Sequence, residues 1–331
     1  MQIALIYNAP IPSLYDTRGE SKAESGVLKA VKAVRRSVRA LGYECIEYPL
    51  TPLSESGRNT LSSIGADVVF NLFEGFAGMP RTEAEIARYL EELGLSFTGS
   101  PSSALLLALD KVEAARELRR SGIRTANHQL LDAQTISDFR LKFPCIVKPR
   151  ADDASHGLSE NSVVFDTGAL FQEVQAMVER YDGLPALVEE FLPGREFNVT
   201  VFGNSLPEVL PLSEIIYTLP TGLPKILTFA AKWEPESSYF QNTNVKCPAT
   251  VTPELAAKLR STALAAFKVI GCRGYARVDM RLDSDGRPVV MEVNANPDLS
   301  PDAGTVRQAK EAGMSYKGIV SRIIEFAMEK A

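Results

Sequence analysis

The sequence predicts an α/β and α+β protein of three domains, and three observations carry that prediction. Over the first hundred residues short apolar runs alternate with helical patterns, as parallel strands joined by helical crossovers do. The turn-like Gly99-Ser100-Pro101 then interrupts the alternation. From Gly194 onward the pattern becomes antiparallel and ends in a hairpin centred on Asp285-Gly286. The expected domains are 1–99, a parallel α/β layer; 100–188, a compact α+β module; and 189–331, a second module carrying the hairpin.

Each element has its own signal. Ile3 to Tyr7 is an uninterrupted apolar run suited to a strand buried on both faces. About Glu24 to Leu41 is amphipathic at helical spacing and ends at Gly42; strands are expected at Tyr43 to Tyr48 and Asp67 to Leu72. Thr82 followed by Glu85 predicts a capping box opening the next helix, with Gly94 as its left-handed cap. A helix containing Asp110-Lys111 leads to a strand Cys145 to Lys148, a polar loop Ala151 to Gly157, a strand Val163 to Phe165, a helix, and a strand Ala186 to Glu190. Strands Glu196 to Phe202 and Leu210 to Ile216 follow, then a long stretch, Ala230 to Pro248, expected to be an irregular lid. A helix from Pro253 to Gly271 precedes the hairpin, Tyr275 to Asn294.

Composition bounds the function. The 331 residues hold 36 Lys plus Arg against 41 Asp plus Glu, a net charge of −5, with 45% hydrophobic content. That excludes disorder and argues against a protein whose partner is nucleic acid or an anionic membrane. The longest aliphatic run, Ala104 to Leu109, is too short to span a bilayer, and the N-terminus resembles a strand more than a signal peptide, so a cytoplasmic protein acting on small molecules is expected. Cys45, Cys145, Cys247 and Cys272 stand singly, which predicts buried free thiols rather than zinc or disulfides. With only His128 and His156, chemistry falls to Lys, Arg and carboxylates.

The hairpin is the most informative segment. If Asp283 faces Pro288, then Val278 faces Val293, Met280 faces Met291 and Leu282 faces Val289, an apolar face that must be core. The opposite face sets Asp279 across from Glu292 and Arg277 across from Asn294. Two carboxylates across a ladder repel unless they reach solvent, share a proton or bind a cation. With an amide oxygen beside them they suit a hard divalent ion such as magnesium. The alternative is a solvated outer face with Arg277 bridged to Asp279, and a register slip of one residue would scatter the group.

In order, Lys111, the strand end Ile146-Val147-Lys148-Pro149, Glu189-Glu190-Phe191-Leu192, Glu196, and the Asp279, Glu292, Asn294 triplet resemble the ATP-grasp fold. FTGSPSSALLLALDK from Phe97, the AKW stretch followed by YFQNT, and GCRGYARVDMRLDSDGRPVVMEVNANP make the chain similar to the D-alanine:D-alanine ligase family over most of its length. That resemblance implies an ATP-dependent ligase that joins a carboxylate to an amine through an acyl phosphate, with two magnesium ions, for which manganese could substitute, and a homodimer through the N-terminal domain. It implies that Lys111, Lys148 and the closing loop at Ser155 meet the phosphates, that Glu189, Glu190, Phe191 and Leu192 line the adenine pocket, and that Glu196 binds the ribose hydroxyls. Asp279, Glu292 and Asn294 correspond to the metal ligands, Lys232 to a lysine reaching the transferred phosphoryl group, and Arg277 is placed to stabilise the tetrahedral oxyanion.

The sequence also departs from that family. Two acids, Asp152 and Asp153, stand in the closing loop; a lid-latching serine falls at Ala154 and its tyrosine partner at Trp233. The serine that holds the acceptor's carboxylate falls at Ala303, with Asp298 and Asp302 nearby, and the family's His-Gly turn is Glu74-Gly75. Glu20 and Glu24 are the candidates for the acid that binds the first substrate's ammonium. The expectation is a ligase of this family with altered acceptor specificity; the alternatives are a D-alanine:D-alanine ligase and a non-catalytic nucleotide-binding protein.

Overall fold

The computed structural model describes residues 1–9, 21–51, 55–76, 79–151, 155, 157–329, with the backbone alone at 21–25 and 55–57. Glu20, Asp152, Asp153, Ala154, His156 and the Glu24 side chain lie outside the described residues.

Five successive buried residues, Ile3–Tyr7, explain why β1 (Gln2–Asn8) takes the centre of its sheet, paired in parallel with β2 (Glu44–Leu50) and β3 (Val68–Leu72). Helix α1 (Ser21–Ala40) buries Val27, Val31, Val34 and Val38 on one side of this layer. After α2 (Glu55–Ser62), α3 (Arg81–Glu92) buries Ile86, Ala87 and Leu90 on the other, and Gly94, at φ +67, turns the chain out of it. The expected capping box does not form. Pro80 takes the N-cap position, so Thr82 falls inside the first turn, where its hydroxyl instead accepts from the Phe76 N–H (2.9 Å) and donates to the Met79 carbonyl (2.6 Å).

The helix expected around Asp110-Lys111 is two helices, α4 (Ser102–Leu109) and α5 (Lys111–Arg120). Asp110 separates them with an extended backbone and caps α5, its carboxylate accepting from the Val112 and Glu113 N–H groups. Arg150 clamps the same carboxylate at 3.1 and 2.7 Å, fixing the start of α5 to the end of the next sheet. That sheet is antiparallel in the order β4-β7-β5-β6, from β4 (His128–Leu131), β5 (Cys145–Lys148), β6 (Val163–Val164) and β7 (Ala186–Glu190). Its own core lies beneath α6 (Thr167–Arg180), which buries Leu170, Val174 and Met177.

The largest sheet runs β11-β10-β8-β12-β13, with β9 (Glu208–Val209) paired to β8 (Glu196–Phe202). Its other strands are β10 (Ser213–Tyr217), β11 (Thr243–Lys246), β12 (Tyr275–Leu282) and β13 (Pro288–Asn294). The stretch expected to be an irregular lid is ordered into α7 (Phe229–Trp233), α8 (Ser238–Gln241) and β11. Thr228 and Ser237 cap the two short helices, and β11 adds to the edge of β10. These elements are too short for a periodicity to show.

Helix α9 (Pro253–Ile270), capped by Thr252 and closed by Gly271 at φ +80, covers the apolar face of the large sheet. That core continues into Ala104, Leu105, Ala114 and Leu118 and into the far side of the first layer at Ala4, Ile6 and Val69. Helix α10 (Gly304–Glu311) follows β13, and α11 (Tyr316–Met328) returns to the first layer, burying Ile319, Val320, Ile323 and Ile324 in the core that α1 lines.

Among the described residues no helix is long and apolar enough to cross a membrane. The four cysteines are free, but only Cys145 is buried; Cys45, Cys247 and Cys272 sit half-buried at element ends, a correction to the expected burial of all four.

Gly194, between β7 and β8, donates its N–H to the Leu282 carbonyl at 3.2 Å, and a Cβ there would strike that carbonyl oxygen and approach Leu282 Cβ to 2.7 Å. Because the obstacle is strand backbone, Gly194→Ala is expected to cost about 2 kcal/mol. Denaturant unfolding should show a lower midpoint at unchanged slope.

Candidate active site

The hairpin places the polar group as its pairing predicts and then breaks step. Arg277 faces Asn294, Val278 faces Val293 and Asp279 faces Glu292, but a bulge after Asp279 makes Met280 face Val290 and Leu282 face Pro288. Met291 is the extra residue, so the expected pairs Met280 with Met291, Leu282 with Val289 and Asp283 with Pro288 do not occur. The turn closes one residue tighter, the Asp283 N–H donating to the Arg287 carbonyl at 3.0 Å. Val278, Met280 and Leu282 still point into the core, because the shift lies beyond the chemistry-bearing pairs.

On the opposite face, the Arg277 guanidinium grips both oxygens of Asp279 at 2.8 Å, and the Asn198 amide from β8 donates to Asp279 Oδ1 at 2.7 Å. This is the Arg277–Asp279 bridge of the alternative reading, but not on a solvated face, since the two side chains are only 21% and 14% exposed. Burial works against the Arg277 charge, yet Asp279, and beyond it Glu292 and Asp298, hold it firmly protonated. Across the ladder, Glu292 Oε2 lies 3.9 Å from Lys111 Nζ, at the first position of α5. The Asn294 side chain accepts from the Asn296 N–H at 3.1 Å.

A second cation site lies on the central sheet. Lys148, at the end of β5, reaches diagonally to Glu189 on β7, Nζ to Oε2 2.6 Å, with both side chains about nine-tenths buried. Glu190 accepts from the Asn127 amide at 2.9 Å, and the half-buried Phe191 and Leu192 begin the crossing into β8. Ser155 holds a left-handed backbone, φ +63, at the closing loop. Lys232 on α7 is half-buried; desolvation first, then Arg277, lowers its pKa, while Glu292, Asp279 and Glu196 oppose that. Its neighbour Trp233 lays its ring against α1, Cη2 standing 3.6 Å from where a Cβ on Gly26 would be. Trp233 Nε1 is buried without a hydrogen-bond partner among the described residues.

Acidic residues follow β3 and β13. Glu74 follows β3, its N–H donating to Asn8 Oδ1 at 2.9 Å. Its side chain reaches water yet is surrounded by protein, and desolvation, then Asp298, pushes its pKa up to about 8. Asp298 is exposed and accepts from the Ser300 N–H at 2.7 Å. Asp302 stands apart on the surface, 4.0 Å from Lys29. Ala303 occupies the N-cap of α10, whose first N–H groups receive no side-chain cap.

Sequence reasoning missed three contributors. Asn198 and Arg281 share the polar face with Asp279 by the period of two, a signal that was available along β8 and β12. The third, Asn296, ties the site to the first layer: its amide donates to the Phe73 carbonyl (3.2 Å) and Glu83 (2.7 Å) and accepts from the Tyr275 hydroxyl (3.1 Å). Long-range contacts of that kind have no local signature.

A parallel α/β layer followed by two α+β modules, with Lys111 beside Glu292 and Lys148 beside Glu189, is the architecture of the ATP-grasp class. The family model described as D-ala D-ala ligase C-terminus matches residues 114–325. An uncharacterised Sinorhizobium fredii protein, y4sG, is 38% identical over 78% of this chain and 74% of its own. The D-alanine–D-alanine ligase of Bordetella petrii is 30% identical over 94% of both chains. A Bacillus anthracis D-alanine–D-alanine ligase complexed with ATP shares the fold at a TM-score of 0.74 and 22% identity, covering 99% of this chain and 97% of that one. The chain belongs to the D-alanine–D-alanine ligase family, ATP-grasp enzymes that form carbon–nitrogen bonds.

A carboxyl with a pKa near 8 in the folded chain and 4.5 ordinarily binds more protons folded than unfolded. Stability from Glu74 is therefore present below about 4.5 and lost as pH rises through about 8. The melting temperature of the unaltered chain relative to Glu74→Gln should fall between about pH 5 and about pH 9; a constant difference would show that Glu74 titrates normally.

Proposed function

We propose that the chain is an ATP-dependent carboxylate–amine ligase working through an acyl phosphate, with an acceptor other than D-alanine. The observation that carries the reaction class is the placement of Lys111, Lys148 and Arg277, each beside a carboxylate of an otherwise polar, largely buried face. Such pairs set cations in fixed positions before a polyanion arrives, so little reorganisation is needed when it binds. In this reading a substrate carboxylate oxygen attacks the γ-phosphorus of ATP, the bond to the β-phosphate oxygen breaks, and ADP leaves. The acceptor amine then attacks the acyl carbon, inorganic phosphate departs, and the amine gives up a proton as the amide forms.

The protein positions and neutralises. Lys148 and Lys111 face the phosphates, with Glu189 to Leu192 and Glu196 around the nucleoside and Ser155 at the closing loop. Lys232, whose ammonium is weakened by burial, reaches the transferred group. Arg277 stabilises the oxyanion of the addition step. The donor set fits a hard divalent cation. Asp279, Glu292 and Asn294 supply oxygens from neighbouring positions of one face. Among the described residues no group of three or more His, Cys, Asp or Glu side chains could hold a metal alone, so the remaining ligands would come from phosphate and water. Magnesium, or manganese in its place, would supply charge neutralisation at the phosphoryl oxygens.

The altered acceptor is favoured by three positions. Ala303 offers no hydroxyl at the start of α10, Asp298 adds negative charge, and Glu74 stands where the family has histidine. An acceptor carboxylate placed there would lose a hydrogen-bond donor, at a cost of about 1 to 3 kcal/mol, while a neutral or cationic group would not. Membership of the family supports the second reading, a D-alanine–D-alanine ligase with a rearranged pocket. As a ligase supplied with ATP, and with no membrane-crossing helix among the described residues, the chain would act in the cytoplasm on small molecules.

ADP release should be measured across D- and L-amino acids, their amides, simple amines and short peptides. An acceptor lacking a free α-carboxylate is expected to give the highest kcat/KM; release with D-alanine alone would sink the altered-acceptor reading. Glu292→Gln should cut turnover by at least about a hundredfold with far-ultraviolet circular dichroism unchanged, since the residue lies opposite the apolar face of the hairpin.

A further inference from the structure

The large sheet carries a buried cation that the phosphoryl chemistry does not use. Arg281 on β12 is 3% exposed and lies directly across the ladder from Glu196 on β8. Its guanidinium stands over two rings, 5.1 Å from the centroid of Phe191 and 5.9 Å from that of Tyr217. Its Nε is 3.3 Å from Glu196 Oε2, close enough for an ion pair but not aligned for a hydrogen bond. A terminal nitrogen donates to the Lys225 carbonyl in the segment that leads to α7. Glu196, 6% exposed, also accepts from the Tyr217 hydroxyl at 2.7 Å. One guanidinium thus joins the crossing after β7, three strands of the sheet and the approach to the lid helix.

We infer that Arg281 is the positioning residue of the nucleoside pocket: it holds Glu196 charged and Phe191 oriented so that a nucleoside finds an acceptor for its hydroxyls and a fixed ring beside its base. This rests on the proposed reading, in which Glu196 meets the ribose and Phe191 the base. A carboxylate buried as deeply as Glu196 keeps its charge only beside a counter-charge. Burial, and less so Asp279, push the Glu196 carboxyl above its ordinary range; against them stand first Arg281, in contact, then the Tyr217 hydroxyl, with Lys232 acting from further away. The planar guanidinium also does what an ammonium cannot, since it lies over the Phe191 and Tyr217 rings while Nε stays within ion-pair distance of Glu196. Removal of Arg281 should therefore fall on ATP affinity, and the phosphoryl-transfer lysines, on other elements, should keep their places.

The test measures ATP binding by calorimetry on the full chain, with KM for ATP and kcat taken on the best substrate pair. Arg281→Met is expected to weaken ATP binding and raise KM for ATP about tenfold, with kcat at saturating ATP within about twofold. Arg281→Lys, which keeps the charge without the stacking plane, should fall between, and it serves alone if the Met variant does not fold. Phe191→Ala and Glu196→Gln separate the two claims. If both lose ATP affinity while Arg281→Met and Arg281→Lys bind ATP as the unaltered chain does, the inference is wrong. If neither control loses affinity, the nucleoside reading falls and takes the inference with it. A drop in kcat equal to the rise in KM, alongside a lowered melting temperature, would make Arg281 a structural ion pair and likewise overturn it.

Discussion

Two carboxylates facing each other across a β ladder, Asp279 and Glu292, set the terms for everything around them. Directly opposed like charges destabilise a sheet, and this pair sits on a face that is mostly buried. The chain answers with Arg277 and Asn198 on one carboxylate and Lys111 on the other. Those partners come from β12, β8 and α5, so the repulsion, once neutralised, draws separate parts of the chain into register. Asp110 extends this link, because its cap on α5 and its Arg150 clamp fix Lys111 relative to the central sheet that carries Lys148.

Legibility in the sequence followed the range of the interaction. The hairpin pairs Arg277–Asn294 and Asp279–Glu292 could be worked out from alternation and a turn signal, because both act over a few residues. The bulge at Met291 could not, since an extra residue costs the pattern nothing on the strand that carries it. The Thr82 capping box failed because Pro80, two residues earlier, started the helix first. The segment after Ala230 looked irregular because helices of four or five residues have no period to detect. Arg281 lay in plain view on the polar face, yet its partners Tyr217 and Phe191 are distant in sequence, and a single arginine in a strand carries no sign of what it will stack on.

The acidic side of the site differs in kind from the side that carries the paired cations. Lys111, Lys148 and Arg277 each sit beside a carboxylate. Toward the first layer, burial and then the Asp298 charge raise the cost of ionising Glu74, and Ala303 leaves the α10 N-terminus without a side-chain cap. In the function proposed above, the paired cations serve the phosphoryl chemistry and the acidic side meets the acceptor. The Trp233 ring against Gly26 joins α7 to α1 of the first layer by apolar contact.

The return of α11 to the first layer has a consequence for how the chain is made. Val27, Val31 and Val34 share one core with Ile319, Ile323 and Ile324, so that side of the parallel sheet, lined first by α1 alone, is completed only when residues near 320 leave the ribosome. Contacts so distant in sequence slow folding and leave apolar surface exposed meanwhile. The first layer is therefore completed only after the β12–β13 hairpin has been synthesised.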